Sequence, residues 1–392
     1  MSKVDAGEKA ALKRILFVDD DRNVLDGLRN VLRPQRHEWE MVFALGPDRA
    51  MALLTEQHFD AVITDMRMPH MDGATLLTEV KRLQPHAVRI ILTGQTEQES
   101  VMKSVFIAHL SLSKPCEHEL LKGVIGRACD LSTILNDEEL RAVAGQVEML
   151  PAAPQSYIAL NRALTRPNCT VGELARIIEQ DVGLCAKILQ LVNSAFFGLP
   201  RKIGSLTEAI TYLGTQTVKT LALALEAFSG SGTSELSPSE LADLQKHSVL
   251  AGQIARKISS RIANIADEAL LAGVLHEVGW LIRVPFHPVS ETIDRSLLGA
   301  YLLGLWGLPH PIMEAVAYHR KPRSLPHGDF ELVDVVHVAH HLAADLLGAP
   351  DGKGLDLDHL ATVGVNREQV EQWAAQAREA QAETPSLPGS SS

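Results

Sequence analysis

The chain has 392 residues, which at about 150 residues per domain predicts two or three domains. Its 37 Lys+Arg against 48 Asp+Glu leave a formal charge of −11. That balance argues against a general nucleic-acid binder, because phosphates need a basic face. Hydrophobic residues at 46% exclude a largely disordered chain, and aromatics at 4% leave the core to Leu, Ala, Val and Ile.

Cys116, Cys129, Cys169 and Cys185 contain no C-x-x-C pair, so neither a disulfide framework nor a thiolate zinc site is expected. Met1 to Arg14 is charged and has no apolar h-region, so no secretory leader is expected. Ser296 to Met313 carries no Asp, Glu, Lys or Arg and is nominally long enough to cross a bilayer. Gly307, Pro309, His310 and Pro311 interrupt it, so a buried helix followed by a turn is expected instead. The expected location is cytoplasmic, with no membrane partner.

In chain order, Arg14-Ile-Leu-Phe-Val18 reads as a buried strand, and Val24, Leu25, Leu28, Val31 and Leu32 share one helical face. Pro47 opens a second helix with Ala50, Leu53 and Leu54 inward. Asp60-Ala-Val-Ile-Thr64 and Arg89-Ile-Ile-Leu-Thr93 repeat the strand form, with helices over 73–83 and 97–108 and a short last strand over 109–113. Strands alternating with helices predict a doubly wound α/β parallel sheet of about five strands. After about residue 130 the strand signal stops. Leu174, Ile177, Ile178, Leu184, Ile188, Leu189 and Val192 recur at helical spacing, as do apolar positions over 241–258 and 268–278, so this half is expected to be all-α. Ser229 to Ser239 reads as a flexible loop, 131–142 as a helical connector, and 383–392 as a disordered tail.

Ligands of an open α/β sheet collect beyond the C-terminal strand ends. Asp19-Asp20-Asp21, Asp65, Thr93 and Lys114 stand at four of those ends. Clustered carboxylates suit Mg²⁺, and a carboxylate beside that metal can accept a phosphoryl group while Lys and Thr share its oxygens. A lone Asp after a strand is more often a helix cap, and Asp21 is read as one.

These residues resemble the receiver domain of two-component response regulators over about 12–130. The resemblance is carried by Ile15-Leu-Phe-Val-Asp-Asp-Asp21, Asp65-Met-Arg-Met-Pro-His-Met-Asp-Gly73, Leu92-Thr93 and Lys114-Pro115. It implies that Asp65 is the phospho-acceptor and that Asp19, Asp20 and Asp65 hold Mg²⁺. It further implies that Thr93 is the switch hydroxyl, that Lys114 contacts the phosphate, and that the Lys114–Pro115 bond is cis. Ser111 stands where the family usually places a Tyr or Phe, which removes the aromatic half of the usual switch.

The second half, over about 143–345, resembles the HDOD domain, a helical relative of HD metal-dependent phosphohydrolases. The resemblance rests on Leu150-Pro-Ala-Ala-Pro154, Asp181-Val-Gly-Leu184, Asn193-Ser-Ala195, Ala209-Ile-Thr-Tyr-Leu-Gly214, His247-Ser248, Leu275-His-Glu-Val-Gly279, Gly299 to Pro309 and Glu314-Ala-Val-Ala-Tyr-His319. Catalytic HD domains gather imidazoles and carboxylates around a metal-bound water. Here His247, His276 and His319 remain, while Glu277 replaces the paired Asp, Arg295 and Arg320 stand at two ligand positions, and His340 aligns with the terminal Asp. Cations at two ligand positions are expected to repel a dication. The expectation is therefore a non-catalytic protein-interaction domain with residual core histidines. The alternative is a mononuclear metal on His247, His276, Glu277 and His319 or His340, in a phosphodiesterase acting on a nucleotide. The set His337, His340 and His341 reads as a helix face.

The whole reads as a response regulator phosphorylated on Asp65 by a sensor histidine kinase and relaying to a downstream signalling protein, with a homodimer as a further option. A DNA-binding reading finds no basic recognition helix, and no nucleic-acid partner is expected.

Overall fold

The structure is a computed structural model that describes residues 12–94, 107–114, 119, 121–126, 138–147, 154–164, 166, 169–193, 202–215, 218, 236–259, 265–282, 293–349 and 354–383. It divides into two units, 1–132 and 133–392. The Lys114–Pro115 bond, most of the 97–108 segment, the 131–137 part of the connector, the 150–153 motif, most of the 229–239 loop and the tail beyond 383 lie outside the described residues.

In the first unit, β1 (Lys13–Asp19), β2 (Trp39–Leu45), β3 (Ala61–Asp65), β4 (Val88–Gly94) and β5 (Leu110–Lys114) form one sheet. Its order is β2-β1-β3-β4-β5 and every pairing is parallel. Such a sheet needs both faces covered, which explains strands with no polar alternation. Ile15, Leu16 and Phe17 are fully buried. Helices α1 (Arg22–Val31), α2 (Pro47–Glu56) and α3 (Gly73–Leu83) return the chain between strands. Each start has a local cause. Asp21 caps α1 by accepting from the Asn23 N–H, Pro47 opens α2, and Asp72 caps α3 by accepting from the Thr75 N–H. This is the flavodoxin-like doubly wound arrangement, whose strand order reverses between β1 and β3. Asp19 and Asp65 end those two strands.

The second unit contains no strand among the described residues. Its labelled helices are α4 (Glu138–Gly145), α5 (Pro154–Leu164), α6 (Val171–Ile178), α7 (Val182–Asn193), α8 (Leu206–Leu213), α9 (Pro238–Ser259) and α10 (Ala266–Leu275). They continue with α11 (Arg295–Leu305), α12 (His310–Tyr318), α13 (Leu332–Leu346), α14 (Leu357–Thr362) and α15 (Arg367–Glu383). Helix α9 packs on both α10 and α13, and α13 also touches α12. Close approach of α9 and α10 depends on Gly252 and Gly273, because a Cβ on Gly273 would lie 2.6 Å from the Gly252 Cα.

Among the described residues, no helix is long and apolar enough to cross a membrane. The uncharged 296–313 stretch is α11, a turn at Gly307 with φ +74, and then α12. Pro311 thus opens a helix instead of only ending one. Helices α14 and α15, which the apolar pattern did not predict, extend the helical unit past residue 345.

Candidate functional sites

The α/β unit brings Asp19, Asp20, Asp65, Thr93 and Lys114 to one end of the sheet. Asp19 is buried and accepts from the Asp21 N–H at 2.9 Å, so the helix cap and the acidic end are built by the same turn. Lys114 Nζ lies 2.8 Å from Asp19 Oδ2 and 2.5 Å from Asp65 Oδ1. Burial alone would lower the Lys114 pKa, but the two carboxylates outweigh it and hold the ammonium above its ordinary value. The other Asp65 oxygen, Oδ2, accepts from the Arg67 N–H at 3.3 Å. Oxygen atoms of Asp19, Asp20 and Asp65 all lie within 4.8 Å of one another, close enough to share one hard cation. Thr93 is fully buried, and its Oγ1 has no hydrogen-bond partner among the described residues. Ser111 is buried on β5, paired in register with Ile91.

The helical unit gathers its own polar centre. His247 comes from α9, His276 and Glu277 follow α10, His319 follows α12, and His340 lies in α13. The facing nitrogens of His247 (Nε2), His276 (Nε2) and His340 (Nδ1) are 3.0–3.2 Å apart. Glu277 Oε1 lies 3.8 Å from His276 Nε2, 3.6 Å from His340 Nδ1 and 3.9 Å from His319 Nε2. Two backbone carbonyls fix the tautomers. His276 Nδ1 donates to Gly273 O at 2.6 Å and His319 Nδ1 donates to Val316 O at 2.9 Å. Both Nε2 atoms therefore present lone pairs inward. That of His319 is buried with no hydrogen-bond partner among the described residues. Burial, reinforced by the neighbouring imidazoles, pushes His276 and His340 well below the ordinary imidazole value. Burial would raise the Glu277 carboxyl, but His319, His276 and Arg320 around it hold it below the usual carboxylate range.

The two arginines behave differently. Arg320 meets Glu277 Oε1 at 2.5 Å. Arg295 instead donates to Ile282 O at 2.7 Å and lies over the Trp280 ring. Arg320 is thus the guanidinium that meets the carboxylate of the cluster, while that of Arg295 is held at the Ile282 carbonyl and the Trp280 ring. His337 donates to His319 O at 2.7 Å and accepts from the Asp356 N–H at 3.1 Å. It supports the cluster from behind.

A second trio escaped the sequence reading. His327 Nε2 and His359 Nε2 flank the Asp334 carboxylate at 3.0 and 2.7 Å, and Asp334 is fully buried. Its members lie 7 and 25 residues apart on a loop and two helices, with no motif spacing to mark them.

The response regulator receiver domain family matches residues 15–125, and the HDOD domain family matches residues 150–292. The chain has the architecture of a response regulator, a receiver domain followed by an HDOD domain. The receiver match contains every residue of the acidic pocket. The HDOD match includes His247, His276 and Glu277 and ends before His319 and His340. A response regulator receiver protein of Anaeromyxobacter is 36% identical over 90 residues, 23% of this chain and 37% of that one. An uncharacterized protein of Treponema pallidum is 23% identical over 215 residues, 48% of this chain and 40% of that one. The chain therefore spans 37–40% of the length of these curated relatives. The crystal structure of the MmoQ response regulator of Methylococcus capsulatus is 22% identical, with a TM-score of 0.46, over 58% of this chain and 98% of that one.

Proposed function

We propose that Asp65 of the receiver accepts a phosphoryl group from a sensor histidine kinase and that the HDOD domain relays the change to a downstream protein. The observation that carries this reading is the Lys114 ammonium, held between Asp19 and Asp65 beside the unpartnered Thr93 hydroxyl. The carboxylate set fits Mg²⁺, which Asp19, Asp20 and Asp65 would hold and which would offset charge on the phosphoryl oxygens. Lys114 then turns from Asp65 Oδ1 toward a phosphoryl oxygen, and Thr93 Oγ1 donates to another. With Ser111 in place of a ring, the relay runs through Thr93 and the backbone of β4. The test is phosphotransfer from the cognate kinase to the full chain. Transfer lost in Asp65→Asn supports the assignment, and unchanged transfer removes it.

For the HDOD domain, a non-catalytic relay between proteins in the cytoplasm is the primary reading. Arg320 engages Glu277, which stands where HD enzymes place the Asp that follows the His. One observation favours a second reading. Three nitrogens 3.0–3.2 Å apart, with the His276 lone pair turned inward by the Gly273 carbonyl, match the donor spacing of about 3.3 Å around a tetrahedral metal with bonds of about 2.0 Å. The donors fit a borderline divalent metal held by His247, His276, His340 and Glu277, with His319 beside it. When bound, that metal would supply a Lewis acid and an activated water. In that reading the domain is a metal-dependent phosphodiesterase. Stoichiometric metal together with phosphodiester hydrolysis lost in His276→Ala establishes it, and metal without hydrolysis leaves the relay reading standing.

A further inference from the structure

The chain is acidic overall, yet residues 29–37 hold three arginines and His37 without one Asp or Glu. Arg29, Arg33 and Arg36 follow i, i+4, i+7 spacing, which keeps them on one line as α1 tightens into a 3₁₀ turn over Arg33–His37. That line is roughly 10–12 Å long. Arg33 and Arg36 are exposed and make no ion pair among the described residues, and Arg29 reaches Asp26 at 3.2 Å while lying over the Phe43 ring. Beside the line runs β2, the edge strand of the sheet. Trp39, Met41 and Phe43 alternate onto its α1 face, and Met41 and Phe43 are only half-buried there.

Together these make a shallow depression with an apolar floor and a one-sided row of guanidiniums. A partner that fills it must be apolar on one flank and carry carboxylates about 5–6 Å apart on the next, which is the spacing of acids at i, i+4 and i+7 on a helix. Arginine suits this use, since its fork pairs bidentately with carboxylates and its desolvation is mild. Location adds a second argument. Strand β1 ends at Asp19 and α1 returns the chain to the opposite end of the sheet, so the Arg33, Arg36 and Trp39 end of the patch lies about 20 Å from the Asp65 pocket across a seven-residue strand, while Phe43, paired with Phe17, lies nearer. A partner can occupy it without covering the phospho-acceptor.

We propose that this patch docks an acidic amphipathic helix of a partner protein, at a surface separate from the phosphorylation pocket. The probe is a fluorescently labelled synthetic helix of about 15 residues with Glu at i, i+4 and i+7 and Leu on the adjoining stripe, titrated onto the full chain. Saturable binding is expected, weakened by raising salt and reduced at least about tenfold by R33E/R36E, with R33Q/R36Q intermediate. Asp65→Asn leaves this binding unchanged, which separates docking from the phosphorylation reading. An unchanged circular dichroism spectrum in both arginine variants excludes misfolding. The proposal is overturned if the acidic helix does not bind, if its Lys-for-Glu counterpart binds equally, if the arginine variants bind as well as the parent, or if a single-stranded oligonucleotide takes the same site more tightly.

Discussion

Gly73 is where one methyl group tests how tightly the acceptor loop is built. It opens α3 directly against the turn that follows Asp65. A Cβ added there would lie 2.1 Å from the Asp65 carbonyl oxygen, 3.0 Å from its carbonyl carbon and 3.1 Å from the Met66 Cα. All three obstacles are backbone, so no side-chain rotation relieves the clash. Restoring an ordinary C···O separation of about 3.3 Å requires a shift of roughly 1.2 Å in the loop that aims the carboxylate. Overpacking of this kind costs about 1–3 kcal/mol, and misplacing a reacting group by about 1 Å costs on the order of 10²-fold in rate. Gly73→Ala is therefore expected to lower the melting temperature by at least about 4 °C and to slow Asp65 phosphorylation by about 100-fold. Gly27 provides the control. It lies on the exposed face of α1 with nothing within 4 Å of its Cβ position, so Gly27→Ala is expected to stabilise by about 0.5–1 kcal/mol with the rate unchanged. Wild-type melting and phosphorylation in Gly73→Ala would refute the assigned packing.

Other expectations follow from the same geometry. Lys114→Met leaves Asp19 and Asp65 facing each other without a cation and is expected to cost about 1–2 kcal/mol after solvent screening in chelator, with Mg²⁺ restoring most of it in a thermal melt. His337, buried against the His319 carbonyl, has its pKa lowered from 6.5 to about 4, chiefly by burial. Because the folded value lies below the unfolded one, its contribution is complete above about pH 6.5 and is lost as pH falls toward 4, on the order of 3 kcal/mol in all. Urea midpoints at pH 7 and pH 4.5 in chelator should show this fall, reduced in His337→Asn. In the metal reading of the imidazole cluster, elemental analysis should find one transition metal per chain, lost in His276→Ala and in His340→Ala.

Much of this was legible in the sequence where a local rule has one dominant cause. Three strands announced themselves as apolar runs and a short last one was placed over 109–113, and Asp21 and Pro47 marked helix starts through their capping and φ preferences. Strand β2 was implied by the even spacing but not located, since Glu40 and the half-buried Met41, Val42 and Phe43 give an edge strand a mixed pattern. Helix α15 was missed because its buried positions include Ala377 and Ala380, which give little hydrophobic contrast. The acidic pocket was readable because strand ends converge by topology. Convergence of His340 with His247 and His276 followed from the family resemblance, not from spacing. The direction of Arg295 depends on the carbonyl of Ile282 and the ring of Trp280, and the Asp334 trio depends on the loop that carries His327. Neither is encoded in any local periodicity.

The central claim is that Asp65 is the phosphoryl acceptor of a Mg²⁺-dependent receiver. The full chain, phosphorylated by its kinase and then reduced with borohydride, converts an aspartyl phosphate to homoserine that peptide mass spectrometry can place. The account predicts homoserine at position 65 alone, absent when Mg²⁺ is chelated and absent in Asp65→Asn. Homoserine at another aspartate, or label that persists in Asp65→Asn, would contradict it.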